Sequence, residues 1–477
     1  MKLRRLGLGV AAVVALAAQS ALASSSAAPF TAMRALPPAA GEQTQNDAEP
    51  GMAVAPDGAI WVASNVSGSL SSGDRALGSD VYVSHDGSKT FRWVAQPISL
   101  TASTPGAGGF DTDLTVAPEK NAKGHYTVYA ASLSIADSTL AWSDDDGATW
   151  LQTPISGVPV EDRPWVAADG PCRVYVAYHA PLLLPTDGTS TFVTTVDTCT
   201  PTATRATSVV GTDVDAVVGG LTNPQFGKPW VDSGARSPHR HTVYIPMAQC
   251  HAPTGATLSE DANASSQGVP SCGARSQNLV AVSTDGGTTF AVHQVSLGSK
   301  TMAIWPATIA TDAAGTVYFV WTDSVHSYLN ISRDGGSTWS PSRQLDVGPI
   351  RAAVYPTVAA LGAGRVDVAM YATDKAGNAN DTSRGKPGSA SGVAWRVWVG
   401  RSTNGGRTFK VLRASDIVHR GVLCTYGSAC AGDGSRNLLD DFGAVLSPRT
   451  GKLTVVFTSD TTKGKLVPSF TAYVTER

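Results

Sequence analysis

The sequence predicts an all-β chain folded as a β-propeller of four-stranded antiparallel blades. Three observations carry this: a hairpin turn that recurs five times, a pair of strands ahead of each hairpin, and a composition suited to short strands. Of 477 residues, 42% are hydrophobic, 16% are charged and 48 are Gly. That apolar content supplies a large core without a membrane. The glycines, with abundant Ser and Thr, suit tight turns between strands. The net charge of −2 gives no field that would draw the chain to nucleic acid or anionic lipid.

The repeat is read directly from the residues. Its copies are Ser84-His85-Asp86-Gly87-Ser88-Lys89-Thr90-Phe91, Ser143-Asp144-Asp145-Asp146-Gly147-Ala148-Thr149-Trp150, Ser283-Thr284-Asp285-Gly286-Gly287-Thr288-Thr289-Phe290, Ser332-Arg333-Asp334-Gly335-Gly336-Ser337-Thr338-Trp339 and Ser402-Thr403-Asn404-Gly405-Gly406-Arg407-Thr408-Phe409. Asp86, Asp145, Asp285, Asp334 and Asn404 are expected to accept backbone N–H groups and fix the turn. Gly permits the positive φ such a turn needs. Thr and an aromatic ring then open the next strand.

Each copy is thus the tip of a hairpin, and a second strand pair precedes it. The blades expected are 51–98, 111–156, 161–211, 223–297, 302–348 and 351–415, the third without its turn signature. A last unit, 438–477, offers three strands, and 30–36 is expected to supply the fourth and close the ring. Seven blades follow, with six as the alternative. A β-sandwich array is the other all-β reading, but it does not require a hairpin signature at blade spacing.

Lys2, Arg4 and Arg5, an apolar run over 6–18 and Ala21-Leu22-Ala23 read as a signal peptide covering 1–23. The run is shorter than the roughly 20 residues that span a bilayer. The expectation is a secreted, extracellular monomer with one propeller domain over 24–477. Six cysteines in that oxidising setting read as disulfides. Strand adjacency pairs Cys172 with Cys199, Cys250 with Cys272, and Cys424 with Cys430.

The five turns resemble the Asp-box, or BNR repeat, of the sialidase superfamily, and 49–54 and 162–167 resemble strand openings of secreted bacterial sialidase-like BNR proteins. The resemblance implies a propeller with the boxes on the face opposite any active site. Known sialidases carry an Arg-Ile-Pro motif before the first box; the matching place here reads Glu49-Pro50-Gly51.

Long insertions at 65–80, 179–190, 251–271 and 373–393 fall on the face away from the boxes. Residues entering the innermost strands would ring the channel mouth there: Asp47, Glu49, Asp111, Asp113, Glu161, Asp162, Arg163, Lys228, Trp305, Arg351, Tyr355, Asp440 and Asp441. Carboxylates such as Asp113 and Glu161 on separate blades can serve as general acid and as base or nucleophile in glycoside hydrolysis. The resemblance implies Tyr355 as a nucleophile activated by an acid such as Glu161. Arg163, Lys228 and Arg351 are candidates for an anionic group, Trp305 for stacking on a sugar, and Glu49 and Asp441 for further substrate contacts. The structural alternative for each is turn capping or local ion pairing. A carboxylate ring also suits Ca²⁺, and no other cofactor is expected. His239-Arg240-His241 is read as surface on a strand. Two functions follow: a secreted glycoside hydrolase removing a terminal sugar from glycans, exo-α-sialidase-like, or a non-catalytic propeller that binds glycan or protein.

Overall fold

Seven antiparallel sheets are laid out in order along the sequence, and their long strands pair with their neighbours in the chain except at the ring closure. The computed structural model describes residues 28–40, 42–45, 47–66, 78–99, 111–133, 138–155, 162–179, 191–200, 202–203, 207–209, 225–251, 275–298, 307–425, 434–439 and 441–477. Blades 1 to 6 open with the inner strands Asp47–Val54, Thr112–Lys120, Asp162–Asp169, Gln225–Phe226 with Trp230–Val231, Ala307–Thr311 and Ala352–Leu361. Blade 7 runs Gly443–Leu446, Leu453–Thr462 and Lys465–Thr475, and Arg34–Ala35 forms its outermost strand. The expected closure by 30–36 is therefore present: Arg34 pairs with Tyr473, and Phe30 bridges Glu476. Several inner and middle strands are buried along nearly their whole length, since each sheet is covered by blades on both faces.

Two local expectations are corrected. His239-Arg240-His241 lies in the turn before Val243–His251, not on a strand. The inner strand of blade 4 is broken at Gly227-Lys228-Pro229. Pro229 has no N–H to give a ladder, and a Cβ at Gly227 would strike the Ala307 carbonyl of blade 5.

The repeated turn is a small hydrogen-bonded device. In each copy the Ser hydroxyl donates to Oδ1 of the Asp or Asn and accepts the N–H four residues ahead of it. The acidic side chain also takes the N–H and hydroxyl of the Thr. Asn404 keeps the geometry by turning one bond around, donating from Nδ2 to the Thr408 hydroxyl. The residue four after the Ser has positive φ throughout, and its side is pressed on the preceding blade. At Gly336 a Cβ would lie 3.1 Å from Val282 and 3.2 Å from Tyr244; at Gly287 it would lie 3.0 Å from Tyr175. Ser88 stands there in blade 1 and bonds Thr454 and Thr475 of blade 7.

Blade 3 lacks the box, and the Cys172–Cys199 disulfide holds the corresponding turn. Asp197 accepts the N–H groups of Cys199 and Thr200, and Thr198 meets the Tyr129 hydroxyl of blade 2. Cys424 is also disulfide-bonded, while its expected partner Cys430, and Cys272, lie outside the described residues. Cys250 sits on the strand Val243–His251.

Hydrogen bonds from the Thr289 and Thr338 hydroxyls hold the Asp285 and Asp334 carboxyls down at about 2. Their ionised forms therefore favour folding above the unfolded-chain value near 3.9, and that contribution is lost as pH falls toward 2. Asp334→Ala and Asp285→Ala should each destabilise by about 1–2 kcal/mol in urea unfolding at pH 7. The deficit should shrink as the pH is lowered from 4 to 2. Gly336→Ala should also destabilise at every pH, because it forces a side chain into positive φ against Tyr244.

Candidate functional site

An inner strand has only one ladder partner, so its free edge turns N–H and C=O groups toward the propeller axis. The seven inner strands surround a channel of about 370 Å³, whose wall includes Met52, Val116, Val166, Ile309, Val358 and Val445. Side chains from neighbouring blades answer some of the edge groups. Val166 donates its N–H to Asp113 Oδ2, and Glu49 donates its own to the Thr458 hydroxyl. Lys228 Nζ donates to the Leu114 carbonyl at 2.9 Å.

Lys228 and Asp113 form the electrostatic centre of this wall. Lys228 Nζ lies 2.5 Å from Asp113 Oδ1, with the carboxylate fully buried and the lysine side chain 25% exposed. The contact reaches from blade 4 to blade 2 and, through Val166, ties in blade 3. Blade 1 closes over the same carboxylate: a Cβ at Gly51 would come 2.5 Å from Asp113 Oδ1. Asp113 is thus seated among four blades.

A second feature recurs at the mouth. Glu49, Arg163 and Tyr355 have φ of 50°, 58° and 52°, and each precedes a proline. The pairing register slips at each of these places, between Ala48 and Gly51, Asp162 and Trp165, and Val354 and Thr357. Such a bulge re-aims the side chain, and left-handed backbone at a bulky residue is strained. The sequence carried the signal, since Lys228-Pro229 and Trp305-Pro306 occupy the equivalent places in blades 4 and 5. The bulge itself was not foreseen.

The remaining candidates are placed as follows. Glu49 is 6% exposed, and its Oε2 accepts from Asn65 Nδ2 at 2.7 Å. Asp47 accepts from the Tyr82 hydroxyl at 2.5 Å. The half-buried Arg163 guanidinium stands 5.8 Å from the Trp165 ring. Tyr355 is 2% exposed, and its hydroxyl donates to the Cys424 carbonyl at 2.5 Å. As placed, Tyr355 is a buried donor to the backbone rather than a group facing the mouth. Arg351 is exposed and folds back on the Gly348 and Ile350 carbonyls. Asp441 is half-buried on the channel wall. Glu161, Trp305 and Asp440 lie outside the described residues, as do most of the insertions; 373–393 is described throughout. There Arg384 is buried against Trp395 and donates to the carbonyls of Gly377 and Asn378.

No protein-family model matches the sequence, and no curated protein matches it. Solved structures do. The chain is similar to an α-L-arabinofuranosidase from Fusarium graminearum in complex with an iminosugar inhibitor, at 12% identity over 72% of this chain and 93% of that one, TM-score 0.44. It is similar to a Hadza microbial sialidase, at 12% identity over 93% of this chain and 68% of that one, TM-score 0.45. It is also similar to the leech intramolecular trans-sialidase complexed with 2,7-anhydro-Neu5Ac, at 10% identity over 93% and 70% of the two chains, TM-score 0.44. No helix among the described residues is long and apolar enough to cross a membrane.

Lys228→Met should destabilise the fold by about 3–5 kcal/mol, because it strands the buried Asp113 carboxylate. The double variant Lys228→Met/Asp113→Leu should recover much of the loss in urea titrations.

Proposed function

We propose that the protein is a secreted glycoside hydrolase of sialidase-like architecture that takes the terminal sugar of a glycan at the mouth opposite its Asp-box turns. The observation that supports the reading is the mouth itself. The backbone is strained at the inner-strand openings of three blades, at Glu49, Arg163 and Tyr355, and the Asp113–Lys228 pair lines the channel beside them, while the Tyr355 hydroxyl itself turns to Cys424. Local strain of this kind concentrates at ligand sites. In this reading Glu161 is the general acid. Asp113, held by an ammonium group, acts as an acceptor and suits the base or nucleophile. Arg163, Lys228 and Arg351 receive an anionic substituent, Trp305 stacks on the sugar ring, and Glu49 and Asp441 take its hydroxyls. The signal-like N-terminus and the disulfide support export.

One observation favours the second reading, a non-catalytic glycan-binding propeller. The Tyr355 hydroxyl is committed to Cys424, and Asp113 is engaged by Lys228 and Val166. A panel of fluorogenic glycosides, including a sialoside and an α-L-arabinofuranoside, separates the two. The hydrolase reading expects turnover of at least one, with Glu161→Gln lowering kcat by roughly 10²–10⁴-fold at unchanged Tm. Retention on a glycan array without turnover of any glycoside supports binding alone. Neither turnover nor retention overturns both.

A further inference from the structure

A second polar pocket lies on the box face, between blades 1 and 2. It encloses about 110 Å³ and is lined by Asp57, His85, His125 and Asp146, with Trp61 and Tyr126 among its walls. Two turns of blade 1 and two of blade 2 supply these side chains. Asp57 lies between Asp47–Val54 and Ile60–Val66, and His125 between Thr112–Lys120 and Tyr126–Leu133. His85 and Asp146 belong to the first and second boxes.

The repeat shows that this junction departs from the others. The position three after the box Ser is Gly87, Gly286, Gly335 and Gly405 in four copies, with φ of 74°, 73°, 69° and 69°. The second copy alone places a side chain there, Asp146, at φ 61°. Aspartate tolerates the left-handed region better than most residues, yet glycine is the unstrained choice. The turn chemistry of the box does not need the Asp146 carboxylate, because Asp145 already takes the Ser143 hydroxyl and the Thr149 N–H. The Asp146 carboxylate is therefore left available to groups outside the turn.

Its neighbour is one such group. Asp146 Oδ2 lies 3.7 Å from His85 Nε2, and both side chains are nearly half exposed. That distance is too long for a hydrogen bond. It is close to the separation of about 3.4 Å between two ligands of one tetrahedral ion with bonds near 2.0–2.1 Å. His85 sits edge-on to Trp61 at 6.4 Å. The imidazole of His125 has no hydrogen-bond partner among the described residues and is exposed at the rim. Asp57 spends one oxygen on the Ala59 N–H. Two carboxylates and two neutral imidazoles balance one dication, and no Lys or Arg lines the pocket.

We propose that this pocket binds a first-row divalent transition-metal ion of the Zn²⁺ class, held by His85 Nε2 and Asp146 and completed by His125 and Asp57. No three of these donors surround a single point as the side chains stand, and the proposal requires the exposed His125 and Asp57 to turn onto the ion. Imidazole nitrogens select Zn²⁺, Ni²⁺ or Cu²⁺ over Ca²⁺ and Mg²⁺, which want oxygen. The ion joins two blades at the face opposite the channel mouth, so it acts as a clasp between them.

Isothermal titration of untagged full-length protein with Zn²⁺ at pH 7.5 tests this, with Co²⁺ absorption reporting geometry. One ion should bind per chain, raise Tm, and give the visible bands of tetrahedral cobalt. Asp146→Gly restores the glycine of the other copies, so it should fold at least as well while binding at least tenfold more weakly. His85→Ala and His125→Ala should weaken binding similarly, and His293→Ala should not. No Zn²⁺ binding by the wild-type chain overturns the proposal. So does binding that Asp146→Gly and His85→Ala leave unchanged.

Discussion

The seating of each hairpin turn on the blade before it is the contact on which the structure depends. A propeller has no core common to all blades, so neighbouring sheets must hold one another. The box does this with one geometry. A Ser and an Asp fix the turn, and the residue after it takes positive φ and lies flat on Trp61, Tyr175 or Tyr244 of the preceding sheet. Where blade 1 has Ser88 in place of glycine, the contact becomes polar, to Thr454 and Thr475 of blade 7. Where blade 3 has no box, the Cys172–Cys199 bond holds the turn. Three kinds of chemistry thus serve one requirement.

Ring closure follows from the same need. Blade 7 takes its outer strand from the N-terminal segment, so the two ends of the chain are joined within one sheet. Arg365 and Arg401 of blade 6 meet Asp367 and Glu476, and Glu476 in turn accepts the Leu453 N–H of blade 7. Toward the axis the inner strands leave a row of edge groups, and neighbouring side chains answer several of them. Asp113 is the clearest case, because one carboxylate meets Lys228, Val166 and the surface of Gly51. An acid that reads as catalytic in the sequence is also a structural joint.

Legibility differed between turn and mouth for a physical reason. The box is local: its Ser, Asp, Gly and Thr bond one another within a few residues, so the pattern survives in sequence. The blade limits and the N-terminal closing strand followed from that spacing. The mouth is non-local. The carboxylate of Asp113 and the ammonium of Lys228 are 115 residues apart. The Tyr355 hydroxyl finds its acceptor at Cys424, and the Glu49 N–H finds Thr458. The sequence placed Glu49, Arg163 and Tyr355 at the inner-strand openings, but neither their strained backbone nor where their side chains go could be read from it.

The sequence by itself determined the architecture, the five box turns and the Cys172–Cys199 hairpin, since short-range hydrogen bonds and strand alternation write themselves into adjacent residues. The tertiary structure alone decided which acids are buried joints, which backbone positions are strained, and that His85 and Asp146 from successive boxes share one pocket. Those facts arise where blades meet, and the distance between blades is not encoded in the spacing of any one of them.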